Sequence, residues 1–144
     1  MKIYIDTNVL LDWIIGGRPL KQQSEAILSA AKSKAFKLLV STQSIIDAHY
    51  SARKIGVDYD SFVKYLNQLL LFAEIKAIDW IDLSWAMTYH SEDLEDGAQY
   101  ASAYNASCDF FITGDKKLLL KNGEYNPMKV ISPEDFVAQM MASS

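Results

Sequence analysis

The chain has one cysteine, Cys108, and two histidines, His49 and His90, among 144 residues. A lone thiol excludes an internal disulfide framework and any cysteine-rich zinc site, and it fits a reducing compartment, so a cytoplasmic location is expected. Neither histidine has a Ser or Cys in a nucleophile setting, and both read as surface or internally satisfied residues. No apolar run approaches the ~20 residues of a bilayer span. The N-terminus carries one lysine and runs straight into an apolar strand, so neither a membrane segment nor a signal peptide is expected. Positive charge is also scarce. Lys and Arg number 14 against 18 Asp and Glu, a net charge of −4, which argues against a broad basic surface for duplex DNA. Nucleic acid as such is not excluded, because a metal site supplies positive charge locally. No glycine-rich phosphate loop is present, since Gly16-Gly17 precede no Gly-Lys-Ser/Thr element.

What is present suits a single folded domain over residues 1–144. Half the residues are apolar and 22% are charged, enough for a core without disulfide staples. Apolar runs at 2–5, 36–40, 74–78, 109–113 and 128–131 read as strands. Between them lie helical spacings. One covers 8–15, with Val9, Leu10, Trp13 and Ile14, and stops at Gly16-Gly17. A second follows Pro19, which suits a first helical turn. A third runs from a Thr42 cap to about Ile55, closed by Gly56. Further helices start at Asp58 or Asp60, at Asp79 or Asp82, and at Asp93. Ser132-Pro133-Glu134-Asp135 is a helix start by cap, proline and early acids. Lys116 to Leu120 makes a short helix at best, and 123–127 is loop. Strands alternating with helices predict an α/β fold with a parallel sheet.

Four acids recur where such a fold would gather them. Asp6 and Asp115 directly follow strands, at the edge where open α/β sheets bind ligands. Asp47 lies within the helix leaving the second strand, and Asp96 in the first turn of its helix. Two carboxylates about 6 Å apart at an effective dielectric near 20 repel by roughly 3 kcal/mol. A chain that gathers several therefore points to a cation. Hard oxygen donors select Mg²⁺ or Mn²⁺, and the lack of clustered Cys and His argues against zinc. Four carboxylates balance two divalent ions, and such sites activate water for phosphodiester cleavage.

Plainer readings exist for each. An Asp after a strand is often a helix N-cap. Asp93, Glu95 and Asp96 would also complement a helix macrodipole. Asp47 follows Ile45 and Ile46 in mid-helix, where Asp has poor propensity and nothing to cap, though it would also be tolerated facing solvent. Cys108 reads as core. Trp13, Trp80 and Trp85 read as core or interface, and Lys116 and Lys117 as a solvated pair.

In order along the chain, four segments resemble the motifs of the PIN domain family of metal-dependent ribonucleases. They are Met1-Lys2-Ile3-Tyr4-Ile5-Asp6-Thr7-Asn8-Val9-Leu10-Leu11-Asp12, Leu39-Val40-Ser41-Thr42-Gln43-Ser44-Ile45-Ile46-Asp47, Asp93-Leu94-Glu95-Asp96-Gly97-Ala98-Gln99-Tyr100-Ala101, and Cys108-Asp109-Phe110-Phe111-Ile112-Thr113-Gly114-Asp115. The closing Ile131-Ser132-Pro133-Glu134-Asp135-Phe136 also resembles the family's last strand and helix. The resemblance implies a three-layer α/β/α sandwich around a mostly parallel five-stranded sheet, with an acidic pocket for Mg²⁺ or Mn²⁺ that cleaves single-stranded RNA. It implies Asp6, Asp47, Asp96 and Asp115 as catalytic metal ligands and Asp93 as an outer ligand. Thr7, Asn8 and Thr113 would orient carboxylates or water. Many small stand-alone members resemble VapC toxins, often dimeric and silenced by an antitoxin protein, so a homodimer and an antitoxin are expected partners. Trp13, Ile14 and the apolar-rich stretch 62–72 are the expected contact surface.

One departure matters. The second motif usually ends in Glu, and here it is Asp47, so one metal position is expected to be shifted or weakened. Haloacid-dehalogenase phosphatases require Asp two residues after the first, where this chain has Asn8. A receiver domain would leave Asp96 unexplained. The remaining rival is a PIN-like module that binds RNA or protein without cutting.

Overall fold

The computed structural model describes residues 1–89, 93–123 and 127–143. His90 and the middle of the 123–127 loop lie outside the described residues. Among the described residues five strands and eight helices occur in the order β1 (Lys2–Ile5), α1 (Thr7–Ile14), α2 (Lys21–Lys32), β2 (Lys37–Ser41), α3 (Thr42–Lys54), α4 (Tyr59–Leu70), β3 (Ala73–Lys76), α5 (Trp80–Tyr89), α6 (Leu94–Asn105), β4 (Phe110–Ile112), α7 (Lys116–Leu119), β5 (Lys129–Ile131) and α8 (Pro133–Ala142). The strands form one sheet, β3-β2-β1-β4-β5, with every pair parallel.

The pleat explains why the strands read as unbroken apolar runs. Alternate residues face opposite layers, and both faces are covered. Ile3, Ile5, Leu38, Val40 and Ile112 pack against α1 through Val9 and Leu10, against α2 through Ile27 and against α8 through Phe136. On the other face Tyr4, Leu39, Phe111 and Val130 pack with Tyr100 and Ala103 of α6 and Leu118 of α7. The result is the expected three-layer sandwich. Because β2 and β4 flank β1, the chain order reverses at the β1–β4 boundary. Both strands end there pointing the same way, and the register pairs Ile5 with Ile112.

Several boundaries differ from the sequence expectation, each for a local reason. Ser41, not Thr42, caps α3: its side chain accepts from the Ser44 N–H while its backbone still belongs to β2. Pro19 stands outside α2, which starts at Lys21 with no side-chain cap. Asp79 and Asp82 both open α5. Each side chain accepts the other's backbone N–H, at 3.0 and 3.2 Å, a reciprocal cap built with Asp where Glu is usual. Ile14 is in the core and Trp13 lies edge-on to Tyr65 of α4. These two residues therefore serve the chain's own packing rather than the expected contact surface. Leu70 and Leu71, at the end of the same stretch, are exposed. Cys108 is core, and burial pushes its thiol up to about 12. His49 packs against the Phe62 ring at 4.9 Å. No described helix is long and apolar enough to cross a membrane.

Candidate functional site

Asp6 is the N-cap of α1, and its carboxylate is almost fully enclosed. Oδ1 accepts the Thr7 backbone N–H at 2.8 Å. Oδ2 accepts the Thr113 hydroxyl at 2.8 Å and the Asn8 side-chain amide at 3.3 Å. Thr113 is buried at the end of β4, and its Oγ1 also accepts the Asp115 backbone N–H at 3.0 Å. Asn8 completes the link by accepting the Gly114 N–H at 3.0 Å. A β-carbon added at Gly114 would sit 3.4 Å from that Asn8 oxygen, an ordinary van der Waals contact. Asp6 and Asp115 are thus fixed relative to each other across the β1–β4 boundary by two side chains. Asp115 in turn caps α7 through Lys117 N at 2.8 Å.

Asp96 approaches this pair from the first turn of α6. Its carboxyl is raised to about 6, first by burial and then by the negative charges of Asp93, Asp115 and Asp6, with a hydrogen bond to Asp115 also favouring the protonated form. Asp6 is likewise raised, chiefly by burial, although Thr113, Thr7 and Asn8 pull the other way by bonding the charged form. Asp93 is the exposed N-cap of α6 and holds the Asp96 N–H at 3.1 Å.

Asp47 keeps different company. Its Oδ1 accepts from Gln43 Nε2 at 2.9 Å, and its Oδ2 is buried with no hydrogen-bond partner. Its neighbour is Glu95. Two carboxylates cannot hydrogen-bond to each other, so their contact needs a proton on one. That hydrogen bond with Asp47 is the leading reason Glu95 is raised to about 7, followed by burial and by the charges of Asp47, Asp93 and Asp96. The sequence reading treated Glu95 only as a helix-terminal acid. Its adjacency to Asp96, with Asp47 one helix over, was the available signal.

A buried polar network joins the two halves. Gln99, one turn after Asp96, accepts from Tyr4 OH at 2.5 Å and Ser41 Oγ at 2.9 Å, and donates to Ser44 Oγ at 2.9 Å. The Thr7 hydroxyl bonds Ser44 at 3.0 Å. Thr7 therefore meets Asp6 through its backbone and spends its side chain on α3. The network ties α6 to β1, β2 and α3, the elements that carry Asp6 and Asp47.

Among the described residues no three Asp, Glu, His or Cys side chains stand together as a finished metal-binding group. The donors themselves suit a hard divalent cation. They are carboxylate oxygens alone, several held partly against their own ionisation, with one buried oxygen of Asp47 lacking any donor.

The PIN domain family model matches residues 2–117. The chain belongs to the PIN domain family. Solved structures share the PIN fold at low identity. Mycobacterium tuberculosis VapC20, described as a sarcin-ricin loop cleaving toxin, is 12% identical with a TM-score of 0.64, over 81% of this chain and 93% of that one. A toxin–antitoxin complex from Klebsiella pneumoniae is 20% identical with a TM-score of 0.64, over 91% and 97%. VapBC2 from Rickettsia felis, bound to a fragment of its promoter DNA, is 12% identical with a TM-score of 0.66, over 92% and 98%. No curated protein matches this PIN chain by sequence.

Proposed function

We propose that this PIN domain is a divalent-metal-dependent ribonuclease that cleaves single-stranded RNA, the toxin of a toxin–antitoxin pair. The observation that supports the reading is the bridging of Asp6 and Asp115 through Thr113 and Asn8 at the β1–β4 boundary, with Asp96 raised by burial and then by the charges of Asp93, Asp115 and Asp6. Asp6, Asp96 and Asp115 would hold Mg²⁺ or Mn²⁺, with Asp47 completing the set and Asp93 acting from outside it. A bound ion supplies charge stabilisation at the phosphodiester and acidifies the attacking water. The chain's own part is positioning. Thr113 and Asn8 fix the Asp6 carboxylate and its distance to Asp115, and the Gln99 network holds α6 against α3. Among the described residues no Ser, Thr or Cys side chain is hydrogen-bonded to a histidine base, so water would be the attacking group.

An antitoxin and a second copy of the chain are the proposed protein partners. Two of the structures similar in fold are toxin–antitoxin assemblies. Ile46 and Tyr50 of α3 with Tyr59 of α4, and Leu70 with Leu71, supply exposed apolar surface. A second reading, a PIN module that binds RNA or protein without cutting, is favoured by one observation: no finished metal group stands among the described residues.

The test is cleavage of end-labelled single-stranded RNA by purified, partner-free protein. Cleavage is expected with Mg²⁺ or Mn²⁺ and is abolished by chelator. RNA left intact across both metal titrations opposes the enzyme reading and favours the binding module.

A further inference from the structure

Beside the acid cluster lies a cavity of about 280 Å³ whose walls include Asn8, Gly114 and Asp115 together with Asp12, Arg18 and Leu20. Among the described residues Arg18 is the one cation that lines it. Resting on the ribonuclease reading, we propose that Arg18 binds a backbone phosphate of the RNA strand next to the bond being cut.

Asp12 is buried in α1, in the apolar run Val9-Leu10-Leu11, where a helix interior has no use for a charge. Its Oδ1 accepts from Arg18 Nε at 2.5 Å. Such a buried pair is weak evidence for stability, because desolvation consumes much of the attraction. Its geometric effect is definite. Nε is the only guanidinium nitrogen that bonds among the described residues. The two terminal nitrogens remain as donors on a side chain that is 38% exposed and is anchored at Nε by Asp12. A planar fork with free donors is the group that grips phosphate oxygens in pairs. Its place suits that ligand. A polyanion approaching Asp6, Asp96 and Asp115 meets negative charge, and Arg18 offers the opposite sign in the same cavity that Asp115 lines. The plainer role is to fasten the Gly16-Gly17 turn to α1. That role would show in stability and not in the salt dependence of RNA binding.

The probe is a short fluorescein-labelled single-stranded RNA, followed by anisotropy with Ca²⁺ in place of Mg²⁺, so that the acids keep a divalent ion while cutting is suppressed. Arg18→Gln combined with Asp12→Asn keeps the net charge and leaves no buried charge unpaired. The inference expects this variant to bind about tenfold more weakly. The slope of log affinity against log salt should also shrink by about 0.7, the share of one single-strand phosphate. Unchanged affinity and slope in a folded variant overturn the inference alone. A parent chain that does not bind the RNA overturns the inference and the ribonuclease reading together. If the double variant does not fold, Arg18→Lys decides. It keeps the ion pair but loses the fork, and a loss of about threefold is expected. Parent-like binding by Arg18→Lys refutes the proposal.

Discussion

Asp6 and Asp47 occupy the first two motif positions, yet their surroundings have little in common. Asp6 is set by the sheet. It follows β1, caps α1, and receives three hydrogen bonds, one of them from Thr113 on the neighbouring strand. Asp47 stands on a helix face, with one oxygen on Gln43 and the other buried without a donor beside Glu95. The first is a carboxylate whose charge the fold has already compensated in part. The second is half of a pair whose charges the fold leaves opposed. The difference teaches where a cation would gain most: it would relieve repulsion between Asp47 and Glu95 and around Asp96, while at Asp6 it would find an oxygen already aimed.

Asp96 gives the largest expected effect, since it faces the strand-end pair. Asp96→Asn removes a proposed ligand and should lower RNA cleavage by more than the about 100-fold typical of a supporting residue. Metal-free stability should hold or rise, because one repelling charge is gone. An Asp96 serving only as a helix-terminal acid would instead leave cleavage intact and cost about 1 kcal/mol or less. Cleavage assays beside thermal melts separate the two.

Thr113→Val attacks the compensated side of the comparison. It removes the donor to Asp6 and orphans the Asp115 N–H, so we expect a loss of about 1–3 kcal/mol in denaturant melts and a fall of about 10–100-fold in cleavage. Cleavage at the parent's level would mean that Asp6 needs no such alignment.

On the opposed side, Asp47→Ala should cut activity strongly. Asp47→Glu should keep or raise it, and Mn²⁺ should serve better than Mg²⁺ wherever Asp47 reaches the ion through water. If Asp47→Ala cleaves like the parent, Asp47 is outside the site. Glu95→Gln gives the pair an uncharged donor and should stabilise the metal-free protein by about 1 kcal/mol in chemical denaturation.

The smallest effect is in pH. Glu95 and Asp96 are raised to about 7 and about 6 in the folded chain. Between their ordinary values and these, the folded state binds more protons than the unfolded one. Metal-free stability should therefore rise as pH falls from about 7 to about 5, contrary to the usual acid weakening. Because both groups are partly exposed, the rise should be about 4 °C or less in Tm. Saturating Mn²⁺ should reverse the trend, since ligands must lose their protons to bind.

The sheet was legible because its strands are buried on both faces and read as apolar runs bounded by polar or helical segments. Asp6 and Asp115 were legible for the same reason: each directly follows such a run. Helix ends were less so. The chain turns left-handed after α2 at Lys34, with φ 63°, and after α6 at Ser107, with φ 59°. Neither position carries the glycine that Gly56 supplies after α3. The Asp47–Glu95 contact and the Gln99 network join residues 37 or more apart through polar side chains that carry no mark of the contact in sequence. Trp13 and Ile14 are expected as contact surface in sequence because Tyr65, the ring Trp13 packs against, lies on α4, which is brought alongside only in the folded chain.

The central claim is that these acids form a site for a divalent cation, and direct counting of bound Mn²⁺ tests it. Chelator-stripped protein, titrated with Mn²⁺ at pH 7 and followed by electron paramagnetic resonance of the free ion, should take up the metal at a saturable site that Asp96→Asn abolishes or weakens severely. Absence of saturable uptake, or uptake that Asp96→Asn leaves unchanged, would contradict the account.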